Sequence, residues 1–284
     1  MMSLTSITGS SAARDDAALN GAIATSAIMT VRNRRGKSIL VRVLQALSLV
    51  AFLAIWEWFA AAGILNPLFF SRPSAIGSFF IANFSGLMAD AGVTLRATLL
   101  GFAIGSIAGV AAAFAITAVP MLDRVLQPWI SVLMSIPRVA LAPLFLLWFG
   151  ITEMSKVALA VSIVFFMVLV STAAGTKSVP PDLISLGQAF HASPWQRFRT
   201  ILLPACVPAI FAGLRLGVVT SILGVVSSEM VASSSGLGQK VVLYGQNFNS
   251  AGVFAVLALL AVITTTMNGV VAWTEHTLLR WQRV

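Results

Sequence analysis

Apolar runs recur along the chain, separated by short polar breaks. A helix needs roughly 20 mostly apolar residues to cross a bilayer. Leu44–Gly63, Thr94–Val119, Ser155–Thr176, Pro204–Ala232 and Ala251–Leu279 meet that length. A shorter run, ALAPLFLLWFG, follows Pro137-Arg138 and is interrupted by Pro143. It completes a predicted set of about six spans in an all-α polytopic membrane protein. Residues 121–136, with Asp123, Arg124 and an internal Pro128, are expected to form a tilted amphipathic helix at the membrane surface. Residues 64–90 mix Pro, Gly and aromatics around one short helix, and Ser233–Ser250 reads as a Gly/Ser/Asn-rich connection.

One break is far longer than a turn. Between Lys177 and Pro204 lie two short apolar stripes. Leu183, Leu186 and Phe190 share one helix face, and Asp182 sits in the first turn, where negative charge suits the helix dipole. After His191-Ala192, Ser193-Pro194-Trp195-Gln196 reads as a new start. Ser193 is the N-cap, Pro194 suits the first helical position, and Gln196 completes a capping box. Trp195, Phe198, Ile201 and Leu202 form the second stripe, and Pro204 is expected to stop this helix before the next span. The hook has two readings: a docking surface for a soluble partner, or an amphipathic hairpin lying on lipid.

Composition fits this picture. The chain has 284 residues, of which 58% are hydrophobic and 10% charged, against about 25% charged in a soluble domain. The net charge of +9 mostly reports orientation, because Lys and Arg collect on the cytoplasmic side. With six spans, both termini and the hook share a side. That side carries Arg14, Arg32, Arg34, Arg35, Lys37, Arg42, Arg124, Lys177, Arg197, Arg199, Arg280 and Arg283. The other carries Arg72, Arg96, Lys156 and Lys240. Twelve against four predicts cytoplasmic termini. Residues 1–37 are Ser/Ala-rich and are expected to be a disordered cytoplasmic tail preceding a transmembrane domain over 38–284, in which 177–204 is a cytoplasmic loop. The apolar run after the tail is too long for the core of a cleaved signal peptide. No soluble basic face suggests nucleic acid, and Cys206, the only cysteine, excludes an internal disulfide.

Charges inside spans cost about 3 kcal/mol or more on insertion scales and are commonly functional or paired. Arg215 can snorkel to the interface. Glu229 stands among serines near the other end of the same helix, either lining a water-filled vestibule or hydrogen-bonded to a neighbouring helix. Arg138 is a candidate contact for an anion in the pathway or an interfacial arginine. Gly101, Gly105 and Gly109 form a small-residue ladder for close helix packing. No G-x-x-x-x-G-K-[ST] motif is present, so this chain is not expected to hydrolyse ATP itself. An ion-coupled secondary transporter remains the alternative, although it calls for midplane acids and an internal repeat.

The hook also carries a resemblance. Phe190-His191-Ala192-Ser193, Trp195-Gln196-Arg197-Phe198 and Ile201-Leu202-Leu203-Pro204 resemble the EAA loop of ABC-importer permeases. Leu146-Leu147-Trp148-Phe149-Gly150-Ile151, Ser228-Glu229-Met230 and Gly236-Leu237-Gly238 look like the sulfonate, taurine and nitrate group. The resemblance implies a type I importer permease fold without a cofactor of its own, in a bacterial inner membrane. It implies two ATPase subunits carrying ATP and Mg, a periplasmic or lipid-anchored solute-binding protein and a second copy of the chain. It assigns ATPase coupling to Ser185, Gly187, Phe190, His191, Ala192, Ser193, Trp195, Phe198 and Pro204, while Arg138 and Glu229 stay the pathway candidates on their charge alone. The sequence departs from that family where Ser185 replaces Glu, Leu186-Gly187 replaces Ala-Ala, and His191 replaces the glycine between the short helices.

Overall fold

A computed structural model describes residues Leu40–Leu279. The expected tail at 1–37 and the arginines at 280 and 283 lie outside them. Helix α1 (Leu40–Ala61) belongs to a first unit that ends at Leu65. Gly63, at φ +74, turns the chain just after it. The second unit holds α2 (Pro73–Ala82), α3 (Phe84–Ala118), α4 (Pro120–Ser135), α5 (Ala142–Phe149), α6 (Glu153–Lys177), α7 (Pro181–Ala189), α8 (Pro194–Arg197), α9 (Leu203–Val231), α10 (Leu237–Gln246) and α11 (Ser250–Leu278). All the described secondary structure is helical. Among the described residues five helices are long and apolar enough to cross a membrane, six when the bent pair of α4 and α5 is counted as one span.

Helix α6 is the centre of the second unit, packed between α3 and α9. Small residues permit both contacts. A methyl group built on Gly101 would lie 2.5 Å from the Ala160 Cβ, and one on Gly109 would lie 2.7 Å from the Phe165 carbonyl oxygen. The glycine ladder is therefore an intramolecular seam between α3 and α6. The other face of α6 meets α9 in the same way. A methyl on Gly175 would lie 2.6 Å from Ala209, and one on Gly213 would lie 2.7 Å from Ser171. With lipid as apolar as leucine, close backbone packing of this kind holds membrane helices together.

Three expectations change. Helix α3 begins ten residues before Thr94, and its 35 residues extend about 52 Å. The break in the third span lies at Ile136-Pro137, where the helix pair bends by 79°. Pro143 does not interrupt α5, because it occupies its first turn, where no backbone donor is required. Helix α4 also leaves the surface: the bend after it is tied to Ser162, in the middle of α6.

Pro204 likewise fails to stop its helix. Helix α8, a π segment (Phe198–Leu202) and α9 form one continuous helix of 38 residues, Pro194–Val231, about 57 Å long. Proline lacks an amide and crowds the carbonyl four residues earlier. The wider π turn immediately before Pro204 relieves that crowding, so the chain passes from hook to span without a break.

Candidate functional site: the hook and the opposite junction

The elbow between α7 and α8 is a closed hydrogen-bonded unit. The Ala192 amide donates to the Gly187 carbonyl at 3.0 Å, and the His191 amide donates to Gln188 at 2.9 Å. This pair defines a Schellman motif with His191 at its left-handed position, φ +52. Glycine normally occupies that position, and histidine adopts it at a cost. Ser193 then starts α8 with both halves of the expected capping box. The Gln196 amide donates to Ser193 Oγ at 3.2 Å, and the Ser193 amide donates to Gln196 Oε1 at 2.8 Å.

The two stripes divide by role. Gly187 is buried beneath α8 and the π segment. A methyl there would lie 3.0 Å from Ile201 Cδ1 and 3.2 Å from Arg197 Cγ. The departure from Ala-Ala thus makes room for the arginine stem. Phe198 turns inward and meets Phe114 of α3 edge-on at 5.0 Å, while Trp195 stacks on Phe198 at 5.4 Å. The outward face is Phe190, 78% exposed, and Trp195, 67% exposed. Ser185 and His191 are also exposed. Of the residues grouped by sequence, Phe198 and Gly187 anchor the hook, whereas Phe190, His191 and Trp195 present it.

Arg138 holds the bend that follows α4. Its guanidinium donates to the Leu133 carbonyl at 3.0 Å and to the Ser162 carbonyl, and stacks over the Phe166 ring at 3.9 Å. In a regular helix Leu133 would accept from residue 137, but Pro137 has no amide to give. Arg138 supplies the missing donor and staples the bend to α6. Those contacts give Arg138 a structural role at the bend.

Glu229 takes the second of its two expected roles, a hydrogen bond to a neighbouring helix. It is 1% exposed and does not face a vestibule. Its carboxylate accepts from Thr94 Oγ1 at 3.0 Å, from Lys156 Nζ at 3.1 Å and from the Gly238 amide at 2.9 Å. Lys156, counted among the charges of the side opposite the hook, is 5% exposed and also donates to the Ser235 carbonyl at 2.9 Å. Asp90 accepts from the Gly236 amide at 2.8 Å and pairs with Lys240 at 3.5 Å. Gly236, at φ +112, leaves room for the carboxylate, which a methyl group would strike. Helices α3, α6, α9 and α10 thus meet in a buried polar junction opposite the hook. Sequence reading missed Lys156 and Thr94, although both continue small-residue stripes: Lys156 with Ala160 and Val164, Thr94 with Thr98, Gly101 and Gly105. Arg215 pairs with Glu275 of α11 and keeps its side chain 45% exposed. Among the described residues no cluster of metal-ligating side chains occurs.

This arrangement coincides with a known family. Residues 101–280 match the binding-protein-dependent transport system inner membrane component. The chain belongs to that family. It is the permease subunit of an ABC importer, with ATP hydrolysis performed by separate ATPase subunits. The permease is 31% identical over 237 residues to the riboflavin transport system permease protein RibX of Chloroflexus aurantiacus, covering 83% of this chain and 88% of the relative. It is 29% identical over 236 residues to the putative aliphatic sulfonates transport permease protein SsuC of Bacillus subtilis, covering 81% and 84%. Its fold matches a solved structure of the MetNI methionine ABC transporter in an inward-facing conformation. The TM-score is 0.57, at 21% identity, with 69% of this chain and 96% of that chain aligned.

Proposed function

We propose that this permease imports a small organic or inorganic anion, such as a sulfonate, taurine or nitrate, driven by ATPase subunits that grip its hook. The observation that carries the coupling reading is the exposed pair Phe190 and Trp195 on an otherwise anchored elbow. Aromatic tips on a rigid, capped frame suit insertion into a groove on a folded partner, because little side-chain freedom is lost on docking. Two copies of the chain form the pathway, two ATPases engage the hooks, and a periplasmic or lipid-anchored binding protein delivers the solute. The excess of Lys and Arg at the hook end supports cytoplasmic termini in a bacterial inner membrane. Large exposed apolar side chains, among them Leu147 and Trp148, suit contact with lipid and with the second copy. ATP-driven closure of the ATPases moves the hooks and switches the pathway between its two openings.

The anion assignment draws on the motif resemblance and on the sulfonate-named relative. Co-purification with the neighbouring ATPase tests the hook. Phe190→Asp and Trp195→Asp together are expected to abolish it while leaving the membrane-inserted permease intact, and unchanged co-purification refutes the reading. Phe198 is unsuitable for this test because it packs on Phe114. Thermal-shift screening of the cognate binding protein against sulfonates, nitrate and flavins tests the solute. Stabilisation by flavin alone overturns the anion assignment.

A further inference from the structure

The two helices that flank the hook are joined along their whole length and then tied, at the far end, to a third element. Near the hook, Gly175 of α6 lies against Ala209 of α9, and Gly213 lies against Ser171 further along. At the far end Gly224 lies against Ala160. Beyond that point the joint changes from apolar to ionic. Lys156 of α6 and Glu229 of α9 pair at 3.1 Å, with side chains 7% and 0% exposed. Each also holds the segment leading into α10, Lys156 through the Ser235 carbonyl and Glu229 through the Gly238 amide. Thr94 of α3 closes the set by donating to Glu229 and accepting from the Leu237 amide at 2.9 Å.

A buried ion pair is a poor choice for stability alone, since apolar side chains of similar volume often hold a core as well. Its value is orientation: hydrogen bonds to backbone groups fix one geometry, where apolar packing tolerates several. We propose that Lys156 and Glu229 are positioning residues that couple α10 to the hook-bearing pair α6–α9, so that displacement of the hook reaches α10, and a load on α10 reaches the hook. The inference rests on the coupling reading of the hook. It adds a defined transmission joint about 35 Å away, the length of α9 from Pro204 to Glu229.

The test uses the full complex of permease, ATPase and binding protein in nanodiscs. Lys156→Met with Glu229→Gln removes both charges and retains volume. Assembly with the ATPase and the basal ATPase rate are expected to stay within about twofold of wild type, while stimulation by solute-loaded binding protein falls about tenfold, the scale of a typical coupling free energy. Stimulation unchanged, or basal and stimulated rates falling in parallel, overturns the proposal, since a purely structural pair moves both rates or neither. Should the double variant fail to assemble, Thr94→Val takes its place on the same readout, because it leaves the two charges paired. Selective loss of stimulation then supports the joint, and unchanged or parallel rates overturn it. A wild-type complex that does not retain the ATPase refutes the hook reading instead, so the two failures are distinguishable.

Discussion

The hook and the opposite junction stand at the two ends of the same helix pair and are built on opposite principles. At the hook, local hydrogen bonds and a few apolar anchors hold a frame that leaves aromatic tips in the open. At the junction, a lysine and a glutamate are buried and paired, and four helices share one carboxylate. A surface that must be seized and released keeps its affinity outside and its stability local. A joint that must hold one geometry buries its charges, where they have no alternative partner.

This contrast predicts how the two ends fail. Glu229→Ala leaves Lys156 charged without its carboxylate, and the loss of one buried partner is expected to cost about 3–5 kcal/mol. Thermal unfolding of the purified permease measures it, and the Lys156→Met/Glu229→Gln pair should cost less than either single change. At the hook, Phe198→Ala removes a half-buried anchor and is expected to cost about 2 kcal/mol, below the range for fully buried phenylalanine. Trp195→Ala should stay within about 0.5 kcal/mol yet weaken ATPase co-purification. A large stability loss at Trp195 would erase the division between anchor and tip. Ser193→Ala removes the capping box and should loosen α8 by about 1 kcal/mol, readable as faster amide exchange at Gln196.

An effect of opposite sign compares two elbows. The chain after α10 repeats the hook's turn: the Asn249 amide donates to Tyr244 at 2.8 Å and the Phe248 amide to Gly245 at 3.1 Å, with Phe248 at φ +53. His191→Gly and Phe248→Gly should each relieve backbone strain and stabilise by up to about 1 kcal/mol. Slower proteolysis at each elbow is the check.

Most spans were legible because their signal is one-dimensional: twenty apolar residues in a row describe a crossing helix whatever surrounds it. The capping box was legible for the same reason, since Ser193 and Gln196 are three residues apart. The positive φ at His191 was legible through a glycine in related loops. Phe248 had no such marker. The misjudged prolines share a cause. Pro137 breaks a helix, while Pro143 opens one and Pro204 follows a π turn, and only the hydrogen bonds around each tell them apart. The charges were the least legible. Arg138 and Glu229 each left two readings open, and Lys156 only counted towards one side of the membrane, because charge in an apolar run suggests function without naming a partner. The partners they find on α3, α6 and α9 are 24 to 135 residues away in sequence and become adjacent only once those helices assemble.

Gly236 gives the junction an evolutionary consequence. Its backbone sits where side chains are disfavoured, and a methyl group would enter the space of the Glu229 carboxylate. Position 236 can therefore accept no side chain while position 229 keeps its acid. Positions 156 and 229, 73 residues apart, are bound more tightly still: a lineage that loses one charge strands the other, so the two should mutate together or stay fixed. Related chains should thus carry this three-dimensional contact as a correlated pair of columns beside an unvarying glycine.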